Sequence, residues 1–246
     1  MITPPAGSES LVPASLTPSS SAPIGVAPIP PSVHSRTEKP ASLLVVRPAG
    51  GGMPDFAGLT STYSGKSIHT LDLKGADLRS GAWHFLGNFL KVLASLDTLD
   101  LSRIMIGGRD AFQISNFGLF LKKLDAMPVR LLLGKNGIGS NCIAPIAARL
   151  SVDKQLKALD LSGNLLGAAD IQTLGDALSH NETLQDLNLA ENRLDASAIP
   201  ALNDLLNRAG SLKNLDLSGN LFTAEEKANL QQRAGMRTAE PVELAL

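Results

Sequence analysis

Residues 156–166, 184–194 and 212–222 read LKALDLSGNLL, LQDLNLAENRL and LKNLDLSGNLF. Each copy has leucine at positions 1, 4 and 6, asparagine at 9 and an apolar residue at 11, and the copies begin 28 residues apart. Repetition at such a period marks stacked supersecondary units. Within LDL one residue separates the two leucines. In an extended strand both therefore point to one side, while Asp160, Asn188 or Asp216 points to the other. The asparagine that follows can satisfy backbone groups left open where the strand ends. Leu166 or Leu194 then returns the chain to the interior. Over 169–178 the apolar spacing becomes helical, through Ile171, Leu174, Ala177 and Leu178. A unit this small cannot cover its own leucines, so stability is a property of neighbours.

The same template, run backwards, fits IHTLDLKGADL (68–78), LDTLDLSRIMI (96–106) and PVRLLLGKNGI (128–138). Starts fall at 68, 96, 128, 156, 184 and 212, giving four intervals of 28 and one of 32. The long interval contains GGRDAFQISNFGLFLKKLDAM, which predicts a longer helix whose Phe112, Phe117, Phe120 and Leu124 fill space beside a wider repeat. Ala76 and Ile104 stand where the other copies have asparagine, so an amide ladder is expected to be incomplete at that end, with strand ends less well fixed.

The L-x-x-L-x-L-x-x-N-x-L core resembles the leucine-rich repeat family, and the repeat length resembles its ribonuclease-inhibitor-like class. That resemblance implies an α/β solenoid: a horseshoe arc of about six 28-residue β-α repeats, with a parallel concave sheet and convex helices. Residues 43–67 are expected to form an N-terminal cap, with LLVVRPAGGGMPDF starting as a strand and stopping at Pro48 and Gly50–Gly52, and 57–66 completing it around Tyr63. The repeat domain spans 68–235. It ends in a helix over TAEEKANLQQRAG, with Thr223 as N-cap and Gly235 as its stop. Residues 236–246 form a tail whose fate the sequence leaves open.

Residues 1–42 are dominated by Pro, Ser and Ala with no aromatic side chain. Such a segment buries too little apolar surface to offset its ordering entropy, so a disordered leader is expected. It resembles the N-terminus of bacterial type III secreted effectors, among which leucine-rich repeats are common. This implies export without a signal peptide into a host cytoplasm, or otherwise residence in the bacterial cytoplasm. The N-terminus lacks the basic start and continuous apolar stretch of a secretory signal. A net charge of −1 gives no reason to expect nucleic-acid or membrane-surface binding, and one cysteine excludes an intramolecular disulfide framework. No run of about 18 apolar residues is present.

No constellation of catalytic side chains emerges, and no enzymatic activity, cofactor or metal is expected. Cys142 lies in GSNCIAPIAARL, where Ile143, Ile146, Ala147 and Leu150 predict a core-packed helix and a buried thiol. Effectors that join leucine-rich repeats to a ubiquitin ligase carry a C-x-D motif in a separate domain, whereas Ile143 and Ala144 follow Cys142 inside a repeat. His34, His69, His84 and His180 lack metal-ligand spacing. GGRD and AGGGM lack the lysine and context of a phosphate loop and read as turns. Asn181-Glu182-Thr183 spells a glycosylation acceptor that means nothing without a secretory route. Ran GTPase activators share the repeat class and use a strand-end arginine, for which Arg103 is the nearest positional counterpart.

What remains is a surface. Asp72, Asp100, Leu132, Asp160, Asn188 and Asp216 form its central column, flanked by Thr70, Thr98, Arg130, Ala158, Asp186 and Asn214. Arg103, Arg130 and Lys135 surround the point where Leu132 interrupts the acids, a basic and apolar spot within an acidic stripe. The expected partner is a protein, of the host if the chain is an effector, bound by a monomer of this chain. Six strands offer roughly 300 Å² against a usual footprint of about 800 Å², so a partner must also touch the rim loops or the leader.

Overall fold

The computed structural model describes residues 43–46, 52–78, 81–108, 111–237 and 241–246, all within the unit Arg36–Leu246. The leader, most of the expected 48–52 turn and the second half of GGRD lie outside them. Among the described residues the strands are β1 (Leu43–Val45), β2 (Ser67–Asp72), β3 (Ser95–Asp100), β4 (Arg130–Leu132), β5 (Ala158–Asp160), β6 (Asp186–Asn188), β7 (Asn214–Asp216) and β8 (Glu243–Ala245). Helices α1 (Phe56–Tyr63), α2 (Ala82–Val92), α3 (Ala111–Lys123), α4 (Ser140–Leu150), α5 (Ala168–Leu178), α6 (Ile199–Arg208) and α7 (Ala224–Gly235) alternate with them. The strands form one sheet in sequence order, every pair parallel.

Register follows the leucines. Leu44, Leu71, Leu99, Leu131, Leu159, Leu187, Leu215 and Leu244 lie opposite one another across the eight strands. From Leu71 to Leu215 none is more than 2% exposed. Each contributes about 2 kcal/mol of burial, realised only because the next strand covers it. The helices add Leu86, Phe89, Phe117, Ile143, Ile146, Ile171, Leu174, Leu202 and Leu205 to the same core, on the side to which the leucines point.

Strand ends are closed by buried amides. The Asn164 side chain accepts from the backbone N–H of Asn136 and Ile138 at 2.9 and 3.0 Å, and donates to the carbonyls of Leu133 and Leu161 at 3.1 and 2.8 Å. Half-buried Asn220 repeats the whole set, whereas Asn136 and Asn192 each accept from one backbone N–H, of Ile104 and Leu166, and donate to the strand-end carbonyls of their own and the preceding repeat. One side chain thus satisfies groups on two adjacent turns, and the ladder starts at Asn136. At the opposite end of the repeats Asn181 is 3% exposed and donates to Leu150 and Asp153 carbonyls, so its amide belongs to the fold and not to a glycan.

At the wide repeat, α3 has 13 residues where α2, α4 and α5 have 11. Phe117, Phe120 and Leu124 are buried, but Phe112 is 60% exposed and does not fill the core as expected. Helical geometry gives the reason. Residues 117, 120, 121 and 124 share one face, whereas a residue five before Phe117 lies well off that stripe. The tail adds a strand: β8 pairs with β7, Val242 is buried, and the Arg237 guanidinium donates to the carbonyls of Leu212 and Ala209. Thr223 and Glu226 cap α7 reciprocally.

Candidate functional site

The expected central column lies on the solvent face, and the structure assigns most of it a local task. In Asp72, Asp100, Asp160, Asn188 and Asp216 the side-chain oxygen Oδ1 accepts from the backbone N–H two residues on, at 2.8 to 2.9 Å. This Asx turn closes each strand and explains the recurrence of acid or amide there without a partner. Leu132 cannot make it. Repulsion along the column is also smaller than its composition implies, since Leu132 and Asn188 separate acids and only Asp72 and Asp100 are direct neighbours. Asp186, in the flanking column, accepts from Asn214 Nδ2 on the next strand, and Arg130 pairs in register between Thr98 and Ala158.

The turns that follow the strands carry a stronger signal. Position 8 of every repeat is left-handed: Gly75 (φ 71°), Arg103 (59°), Lys135 (58°), Gly163 (63°), Glu191 (52°) and Gly219 (69°). A Cβ makes this conformation costly by about 1–2 kcal/mol, so glycine is the relaxed choice. Three repeats use it. The other three hold exposed charged residues there, and Met105, 70% exposed, is left-handed two residues after Arg103 (φ 60°). At the same place in the next repeat stands Gly137 (φ 68°).

These turns are fixed by their neighbours. The N–H groups of Arg103 and Lys135 donate to the carbonyls of Gly134 and Ser162 at 3.0 and 2.8 Å, and Ile104 N–H donates to Asn136 Oδ1 at 2.7 Å. Lys135 Nζ pairs with Glu191 at 2.9 Å, two repeats away, its side chain passing over Gly163. A Cβ on Gly163 would come 2.7 Å from Lys135 Cγ. Arg103, Lys135 and Glu191 therefore occupy one row along the strand exits, beside the sheet face that carries Arg130 and Leu132.

Glu191 and Met105 were not among the residues singled out from sequence. A signal existed: glycine at position 8 in half the repeats marks that position as left-handed, which makes any other residue there an exception. Cys142 is 1% exposed in α4, and burial pushes its thiol up, outweighing a hydrogen bond from the Gly139 backbone to the sulfur that pulls the other way. That is the opposite of an activated nucleophile. Among the described residues no group of three or more His, Cys, Asp or Glu is placed to hold a metal ion.

Eight parallel strands alternating with seven helices among the described residues fit a repeat solenoid. No family model matches the chain, and no curated protein matches it. Among solved structures, Leiomodin-1 Actin-Binding Site 2 (ABS2) is similar over 52% of this chain and 75% of that one, with 15% sequence identity and a TM-score of 0.46. That likeness is too loose to bear on function.

Proposed function

We propose that the chain is a leucine-rich repeat protein of the ribonuclease-inhibitor-like class, and that it acts as a non-enzymatic protein-binding module through its sheet face and strand-exit turns. Six repeats between a capping strand at each end form an arc with the sheet inside. Strands about 4.8 Å apart and helices 8–10 Å apart, one of each per repeat, stack without strain only on a curve. The binding role rests on one observation: exposed Arg103, Met105, Lys135 and Glu191 keep left-handed backbone where the matching positions of other repeats hold glycine. Strain held at exposed positions by a rigid frame is a mark of function, and arginine and methionine are enriched at protein interfaces. The eight-strand face is still only about half a standard footprint, so these turns supply the rest.

The partner is a host protein and the chain is a bacterial type III effector; this part rests on the composition of residues 1–42. Deleting those residues should abolish type III export, and export at the full rate would remove the effector reading. The binding reading is tested with Arg103→Gly combined with Met105→Gly. Glycine suits both backbone positions, so the melting temperature should hold while capture of a host protein by the full-length chain is lost. Capture that survives the pair, and also survives Lys135→Ala, would overturn it.

A further inference from the structure

On the helix side of the sheet a cleft of about 300 Å³ lies between α2 and α3, beside the one repeat that is 32 residues long. Its wall is apolar, built from Trp83, Phe120 and half-exposed Leu119. The Trp83 ring packs 5.2 and 5.1 Å from those of Phe117 and Phe120, which holds it in place. The polar lining is His84, Asn88, Lys91, Asn116 and Lys123, with no carboxylate among the lining residues of a chain whose net charge is −1. Lys91 reaches Asp125 at 3.6 Å in an exposed pair, which competes weakly. His84 Nε2 and Asn88 Nδ2 lie 3.2 Å apart.

Two lining residues have an unmet need. Trp83 Nε1 and Asn116 Nδ2 are buried and make no hydrogen bond among the described residues. Trp83 is 4% exposed, and an indole N–H can only donate, so the partner it lacks is an acceptor. Cations at the rim and an aromatic wall suit an anionic ring compound, at a volume at the lower end of small-molecule sites. The two orphan donors closed over within that wall lack the acceptor such a compound would bring.

We infer that the cleft binds a small aromatic carboxylate. Its ring lies against Trp83, Leu119 and Phe120, and its carboxylate faces Lys91, Lys123 and Asn116. Both orphan nitrogens are closed over in this arrangement, so an acceptor reaches them through a side-chain rearrangement of the wall. That rearrangement changes the surroundings of the only tryptophan in the chain. The site is separate from the strand-exit turns and does not depend on the protein-binding reading.

The test is titration of the full chain with 3-phenylpropionate, followed by Trp83 emission and by calorimetry, with 3-phenylpropan-1-ol as the uncharged counterpart. A saturable shift for the acid is expected, at least about fivefold weaker for the alcohol. The Lys91→Ala/Lys123→Ala pair should weaken the acid by a similar factor, and Lys122→Ala, outside the lining, should leave it unchanged. No saturable response up to about 10 mM, the weak end for a fragment of this size, would overturn the inference. So would equal affinity for acid and alcohol, or indifference to the double lysine variant.

Discussion

From Asn136 onward each strand end is joined to the one before it by a side-chain amide, whereas at Ala76 and Ile104 that amide is missing and aromatic rings enter the core. In the first part of the array Phe56 and Tyr63 each contact Phe89, and Trp83, Phe117 and Phe120 form a second ring cluster, and no such ring pair occurs among the described residues beyond Phe120. Yet the leucine register is continuous across both parts. The period of the leucines is thus enough to set strand pairing. What the amides add is direction, since a hydrogen bond fixes the path of a turn in a way that ring packing does not.

The hardest test of that comparison removes what both regions share. Leu187 is 2% exposed between Leu159 and Leu215, and Leu187→Asp places a charge there without a partner. The expected loss exceeds about 4 kcal/mol, enough to unfold the array. Far-ultraviolet circular dichroism during heating measures it, and a wild-type melt would show that the leucines do not form the shared interior. Asn164→Ala comes next, at about 3 kcal/mol, because five backbone bonds to that side chain are lost at once. Denaturant unfolding should show it as a shifted midpoint. If the loss were under about 1 kcal/mol, the amide ladder would be decoration and the two regions would be held in the same way.

The boundary between the regions gives a third case. Gly107 donates to the Asn136 carbonyl at 2.9 Å, and a Cβ built on it would sit 1.9 Å from the Gly137 carbonyl oxygen. Backbone, not a flexible side chain, would have to move. Gly107→Ala should therefore cost about 2 kcal/mol in the same unfolding experiment. A neutral result would mean that the first turn of the ladder is loose.

Most of this architecture was legible because the leucines and asparagines act through spacing, which a sequence displays directly. Leu71 through Leu215 paired as their period required. Ala76 and Ile104 supply no amide, but the expected loosening of the strand ends is not seen, because Asx turns at Asp72 and Asp100 close them and the Ile104 N–H donates to Asn136. Phe112 misled because composition suggested filling while its angular place on α3 pointed outward. The surface was harder. Asp72, Asp100, Asp160 and Asp216 stood out as a column, but their Asx turns involve backbone N–H groups that no residue letter records. Glu191 and Met105 went unnoticed because their distinction is a backbone angle. The β8 pairing depends on where 236–246 runs after α7, which has no repeat to announce it.

The smallest effect is the most informative about that surface. Glu191→Gly removes the exposed pair with Lys135, worth about 0–1 kcal/mol. It relieves left-handed strain of about 1–2 kcal/mol. It also loosens the unfolded chain, which costs about 0.4–1 kcal/mol. The three contributions nearly cancel, so the stability change should stay within about 1 kcal/mol. Glu191→Ala keeps the strain and loses the pair, and should therefore fall below Glu191→Gly. If glutamate instead proved more stable than glycine by 2 kcal/mol or more, its presence would be explained by the fold, and the strained row from Arg103 to Glu191 would lose its claim to serve a partner. A flat result leaves stability unable to account for glutamate at a position where Gly163 and Gly219 show that glycine fits.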